Sequence, residues 1–182
     1  GTPVESWTNQ KLLADEPDLA EIIRCNYNDI IQHVTGNYQQ SLAVWQKNPN
    51  KPKPVLPETK QFIAGSLYNS MINPITHYKI KGVIWYQGEN NNNYADKYQK
   101  MFEIMIKNWR GAWSTPDMSF YFVQIAPFKT MTPQIREAQL RTMLSTPNTG
   151  MVVTTDVGDA DNIHPAKKAD VGARLALWAL AK

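Results

Sequence analysis

The stretch "IKGVIWYQGEN" (residues 80–90) decides the fold. From Ile80 to Gln87 it is a near-continuous run of β-branched and aromatic residues, and Gly88 ends it. A run without polar alternation suits a strand covered on both faces, which is the habit of parallel sheets. Two more stretches have the same make-up, "MSFYFVQIAP" (118–127) and "TGMVVTTDVG" (149–158). Each closes on Gly, Pro or a polar turn, so three buried strands are predicted over 80–87, 118–127 and 149–158.

Helical patterns separate the strands. From Tyr94 to Trp109 the residues Tyr94, Tyr98, Met101, Phe102, Met105 and Trp109 keep a helical period, with the Asn run 90–93 offering an N-cap and Gly111 a stop. "IREAQLRTML" (135–144) reads as a second helix started by Pro133, and Val171, Leu175 and Trp178 mark a third. The order β-α-β-α-β-α is that of crossovers onto a parallel sheet, hence an α/β fold.

The first seventy residues differ. Residues 16–48 form a long amphipathic helical region, one helix or two with a break near Gly36. "KNPNKPKPVLP" (47–57) cannot be a helix interior or a central strand and is expected as an exposed extended loop.

At 182 residues, with 42% apolar residues and six Trp, the chain suffices for one domain over 1–182 with a sizeable core. The net charge of +3 is scattered rather than striped, which gives no nucleic-acid footprint. No apolar run approaches the ~20 residues that span a bilayer. Cys25 is alone, so neither a disulfide framework nor a Cys-based metal site is available. The first residue is Gly1 and no charged or apolar leader precedes the folded-looking sequence, which reads as a chain starting at a processing site or a cloning boundary.

In open α/β sheets ligands sit beyond the carboxyl ends of the strands. "WYQGEN" (85–90) and "DVGDADNIHP" (156–165) both fall there. In the second, Asp161 precedes His164 by three residues, a spacing that lets a carboxylate fix the tautomer of an imidazole acting as general base. The same acids could instead cap the last helix or bind a cation. In the first, Gly88 permits a tight turn and close backbone approach, and the Gln87 amide can donate to an oxyanion. Glu89 beside such an oxyanion would oppose it, so it is expected to support the loop by hydrogen bonding. Arg136 and Gln139 share a helix face as further support, with a surface ion pair and a capping or solvent role as their defaults. His33 and His77 have no acid or Cys at ligand spacing and are taken as structural.

Five stretches together resemble the sialate O-acetylesterase family of SGNH (GDSL-like) hydrolases: "GTPVESW" (1–7), "LYNSMINPI" (67–75), "KGVIWYQGEN" (81–90), "REAQLR" (136–141) and "DVGDADNIHP" (156–165). The resemblance implies a three-layer α/β/α flavodoxin-like domain and hydrolysis of O-acetyl esters on a carbohydrate by a Ser-His-Asp mechanism. It requires no cofactor and no metal. By resemblance, Asp161 and His164 match the Asp-x-x-His pair, Gln87 with Gly88 the third block, and Gly1 the second oxyanion glycine. Asn90 stands where family members often have Ser.

The family's nucleophile block, of the kind Gly-Gln-Ser-Asn, is absent, and so are its first two strands. The expectation is therefore an esterase domain truncated at its N-terminus, its serine upstream of Gly1, and inactive on its own. Strand 80–87 is then an unpaired hydrophobic edge that binds the missing segment or a second copy. The resemblance also implies a secreted or periplasmic location. Two rivals stand beside this reading: a noncatalytic carbohydrate-binding remnant, and a metal-dependent hydrolase using Asp156, Asp159, Asp161 and His164, whose ligands from one short loop make an incomplete site.

Overall fold

In the computed structural model, residues 1–181 are described. From the N-terminus, a 3-10 turn over Val4–Trp7 leads into a short helix α1 (Gln10–Ala14) and a long helix α2 (Pro17–Lys47). Strands β1 (Gly82–Trp85), β2 (Ser119–Val123) and β3 (Thr149–Val152) then alternate with helices α3 (Ala95–Ala112), α4 (Pro133–Ser145) and α5 (Lys168–Leu180). All three predicted strands are present, each shorter than its apolar run. The residues beyond Trp85, Val123 and Val152 leave the ladder to form the loops on the carboxyl edge of the sheet.

The sheet is parallel, in the order β1-β2-β3, with Gly82 opposite Ser119 and Phe120 opposite Thr149. Strand alternation sends Phe120 and Phe122 to one face and Tyr121 and Val123 to the other. On the first face the Phe102 ring of α3 lies 6.0 Å from Phe120 and 4.9 Å from Phe122. On the second, Trp178 of α5 stacks on Tyr121 at 6.2 Å, and Val171 packs with Val123 and Val152. Helices thus cover both faces, giving three layers. Each fully buried aromatic or aliphatic side chain contributes about 1.5–3 kcal/mol.

A cluster of indoles extends the first face. Trp85 meets Trp7 edge-on at 5.6 Å and Trp109 edge-on at 5.5 Å, and at 9% exposure it belongs to the core.

Of the two forms expected for the N-terminal helical region, α2 is the single helix: it runs through Gly36 without a break, and of its 31 residues Leu19 and Asn26 are the buried ones, so most of its ~46 Å length is exposed. Two details depart from the sequence expectations. The Asn run does not cap α3: residues Glu89–Tyr94 form a 3-10 turn, and the N-cap is Tyr94 with no side-chain cap bond. α3 passes through Gly111 and ends at Ala112. His33 and His77 are exposed.

The Pro- and Lys-rich segment is exposed and outside helix and strand from Asn48 onward, as expected. Among the described residues β1 pairs with β2 alone, and its Ile84, aimed at the α5 face, is 69% exposed.

Candidate active site

Three loops meet at the carboxyl edge of the sheet. The turn after β1 carries Gln87 and Gly88; the segment after β2 carries Lys129; the loop after β3 carries Asp156 to His164. Cross-links hold them near one another: the Lys129 N–H donates to the Ala160 carbonyl at 2.9 Å, and the Lys168 ammonium sits 4.6 Å over the Tyr86 ring.

The turn after β1 is built from buried polar groups that satisfy one another. Gln87 is 7% exposed. Its amide nitrogen donates to the Thr2 carbonyl at 3.0 Å and to Asn91 Oδ1 at 2.8 Å, and its Oε1 accepts from the Tyr98 hydroxyl at 3.0 Å. Burial, with the Glu89 charge adding to it, pushes the Tyr98 hydroxyl pKa well up, so it stays a donor. Asn91, fully buried, also accepts from the Val4 N–H at 2.9 Å and donates to Glu5 Oε2 at 2.8 Å. Glu5 Oε1 accepts from Asn26 of α2 at 2.7 Å. Burial raises the Glu5 pKa, against the hydrogen bonds from Asn91 and Asn26 that lower it.

Gln139 fills the gap behind this turn. It is 0% exposed, accepts from the Ile125 N–H at 2.9 Å and donates to the Gln87 carbonyl at 3.0 Å. A capping or solvent role is therefore replaced by a buried bridge between the ends of β1 and β2. Gly88 is needed for the fit: a Cβ there would lie 2.7 Å from Ile125 Cγ2 and 3.1 Å from Gln139 Nε2. Gly1 is tied to the same turn by Asn90, whose amide donates to the Gly1 carbonyl at 2.6 Å.

Two supporting residues sit differently from their expectation. Glu89 makes no side-chain hydrogen bond among the described residues; the carboxylate that ties the loop is Glu5. Arg136 makes no ion pair among the described residues, and its backbone carbonyl accepts from Gln124 at 2.9 Å.

The loop after β3 is loosely held by comparison. His164 and Asp161 are both exposed and do not bond to each other. Asp161 pairs with Lys129 at 2.8 Å, and the His164 N–H donates to Asn162 Oδ1 at 2.9 Å. The expected Asp161–His164 hydrogen bond is thus replaced by an exposed ion pair, which is worth about 0–1 kcal/mol. Asp156 is taken by Arg174, which holds its pKa down at about 2. Among the described residues no three His, Cys, Asp or Glu side chains converge on a metal position.

Among the described residues no serine hydroxyl bonds to His164. Ser6 is buried in the Val4–Trp7 turn; Ser41 lies on α2; Ser119 opens β2 at its amino-terminal end and Ser145 is the last residue of α4.

Glu5, Asn91, Asn26 and Thr2 were not singled out by the sequence. A signal existed for two of them: Glu5 interrupts an apolar turn, and Asn26 lies where α2 turns its packed side inward.

A family model described as carbohydrate esterase, sialic acid-specific acetylesterase, matches residues 30–180. The chain belongs to this family. It is 38% identical over 138 residues to the sialate O-acetylesterase of Rattus norvegicus, covering 63% of this chain and 26% of that one. The sialate O-acetylesterase of Homo sapiens is 36% identical with the same coverage. The chain therefore spans about a quarter of the length of these curated relatives. Among solved structures, a carbohydrate acetylesterase from Xanthomonas citri is 42% identical with a TM-score of 0.62, covering 65% of this chain and 30% of that one. A protein from Arabidopsis thaliana is 28% identical with a TM-score of 0.53, covering 64% and 52%. The parallel sheet with helices on both faces is the SGNH-like α/β fold of these esterases.

Proposed function

We propose that this chain carries the oxyanion and acid–base elements of a carbohydrate O-acetylesterase, and that its serine nucleophile comes from polypeptide outside these 182 residues. The observation that carries the reading is the Gln87 amide, held at the carboxyl edge by Asn91 and Tyr98 with one donor pointed at a replaceable backbone acceptor, the Thr2 carbonyl. Gln87, with the backbone at Gly88 and Gly1, stabilises the negative charge that develops on the acetyl oxygen.

In the reaction the serine oxygen attacks the acetyl carbonyl while His164 takes its proton. The tetrahedral adduct collapses, and the sugar hydroxyl leaves with the proton returned by His164. Water then attacks the acetyl-serine with His164 again as base, releasing acetate. Asp161 orients the imidazole after giving up Lys129, an exchange that costs little because the pair is exposed. The polypeptide that brings the serine also supplies a neighbour for the free edge of β1 and cover for Ile84.

The test is p-nitrophenyl acetate hydrolysis by this chain alone and by the chain extended with the polypeptide preceding it, each beside its His164→Ala version. Activity confined to the extended chain, falling about 10³-fold or more with His164→Ala, supports the proposal. His164-dependent turnover by the chain alone places the nucleophile within it. Activity that survives His164→Ala removes His164 as the base. In sedimentation, a strictly monomeric, stable chain would count against the edge strand as a docking site.

The separation of His164 from Asp161 favours one second reading, a carbohydrate-binding module without turnover. Binding of an acetylated sugar with no hydrolysis by the extended chain would select it.

A further inference from the structure

The amino-terminal edge of the sheet, opposite the candidate active site, carries a cleft of about 520 Å³ between the segment that leads into β1 and the turn that leads into β2. Both walls are interior to the chain and are tied together: the Trp113 indole N–H donates to the Tyr78 carbonyl at 2.9 Å. The turn is itself fixed. The Ser114 N–H donates to the Gly111 carbonyl at 3.0 Å, the Thr115 N–H to the Arg110 carbonyl at 2.9 Å, and the Trp113 ring lies 6.1 Å from that of Trp109. An indole held this way loses little freedom when a ligand meets it. Tyr78, 64% exposed, adds a second ring, which lies 4.1 Å from the imidazole of His77.

The charge of this cleft is positive. Lys79 and Lys81 both line it, and neither makes an ion pair among the described residues. From Thr59 to Gly88 the sequence holds no Asp or Glu, and among the described residues no acidic side chain lines the cleft. Lysine ammonium groups meet carboxylates as compact point charges. Aromatic faces are electron-rich and take the C–H face of a pyranose ring. A neutral sugar would use the rings and leave the lysines idle, whereas a flexible polyanion without sugar rings would do the reverse. A sugar that carries its own carboxylate uses both.

We propose that this cleft is a second glycan site, remote from the chemistry, which holds a carboxylate-bearing stretch of an oligosaccharide with a sugar ring against Tyr78 and Trp113 and its carboxylates on Lys79 and Lys81. The carbohydrate half of this assignment rests on the esterase reading above, and the anionic half rests on the cleft. Along β1 the way from Lys81 to Gln87 is about 20 Å at the rise of a strand. A glycan held here leaves the active site open and raises the concentration of its ester groups nearby.

The experiment is an NMR titration of the 182-residue chain, and of the chain extended with the polypeptide preceding it, with three probes at low and high salt. The probes are tetragalacturonate, its neutral methyl ester and tetraglutamate. Tetragalacturonate should shift the Trp113 indole N–H and the amides of residues 76–81 in both chains, and high salt should weaken it by screening. The methyl ester and tetraglutamate should each bind about 10-fold more weakly or worse, a difference of about 1.4 kcal/mol. Lys79→Ala together with Lys81→Ala should cost tetragalacturonate about 10-fold, and Tyr78→Ala about 3-fold. Equal binding of tetraglutamate overturns the proposal, because the site is then a plain cationic surface, and equal binding of the methyl ester removes the role of charge. Shifts confined to residues outside the cleft, affinity indifferent to the two lysines, binding of no probe, or loss of binding in the extended chain overturn it too. All three substituted residues are exposed, and the comparison of probes and salt uses the unsubstituted chain, so the test stands if a variant fails to fold. Failure here is separable from failure of the esterase reading: p-nitrophenyl acetate carries no sugar, and its turnover by the extended chain should be unchanged by Lys79→Ala.

Discussion

The turn after β1 and the loop after β3 stand at the same edge of one sheet, yet they are built in opposite ways. In the first, Gln87, Asn91, Glu5 and Gln139 are buried and bonded to one another. In the second, Asp161 and His164 are exposed, and their carboxylate and imidazole are apart. The difference teaches where rigidity is needed. A donor for an oxyanion acts by being fixed before charge develops. In the proposed reaction Asp161 and His164 have to meet a nucleophile and a leaving group in turn, and the exposed Asp161–Lys129 ion pair can be exchanged at little cost.

The largest test of this contrast is Glu5→Ala against Asp161→Ala. Removing the Glu5 carboxylate leaves the Asn26 and Asn91 amides without their acceptor inside the core and should destabilise the chain by about 2–5 kcal/mol. Asp161→Ala should change stability by no more than about 0.5 kcal/mol. Urea denaturation reads both, and equal effects would abolish the contrast. Next in size is Gly88→Ala, where the added methyl collides with Ile125 and Gln139; a loss of about 1–3 kcal/mol by the same measurement is expected.

A smaller effect is one of pH. The Glu5 carboxyl has a raised pKa in the folded chain, so its contribution is fully present below the ordinary carboxylate value and is lost as pH rises through the raised one. Stability measured upward from acid should therefore fall over that interval, and Glu5→Gln should flatten the curve. The loop after β3 gives the opposite sign. Asp156, held down at about 2 by Arg174, contributes above its ordinary value of 3.8 and loses the contribution as pH falls toward 2. Being exposed, it should give the smallest effect of the four, and Arg174→Ala should remove it.

Sequence patterning located the strands because each is a short apolar run bounded by turn residues, and it located α4 through Pro133. It put Gln87, Gly88, Asp161 and His164 beyond the strand ends, since topology alone sends those loops to the carboxyl edge, whereas Gln139, expected in a capping or solvent role, is a buried bridge. It could not show which polar residues are buried. "ENNNNY" is an N-cap by composition, but its amides are drawn away by partners distant in the chain: Asn91 by Val4 and Glu5, Asn92 by Thr132. Glu5 was missed for the same reason, because its partners Asn26 and Asn91 come from two separate elements. The Asp161–His164 pairing failed for a local reason: Lys129, brought close by the β2 loop, competes for the carboxylate.

The indole cluster under β1 has an optical consequence. Trp7 lies edge-on to Trp85, and its N–H donates to the hydroxyl of Thr2, the residue whose carbonyl takes a Gln87 hydrogen. Edge-to-face indoles at this spacing couple their electronic transitions, and the sign and size of the resulting near-ultraviolet dichroism depend on the angle between the rings. If Gln87 releases Thr2 to meet an oxyanion, Thr2 and the Trp7 ring it anchors are free to shift together. The tryptophans then become a built-in spectroscopic gauge, distinguishing the resting arrangement of that amide from its engaged one without any added dye.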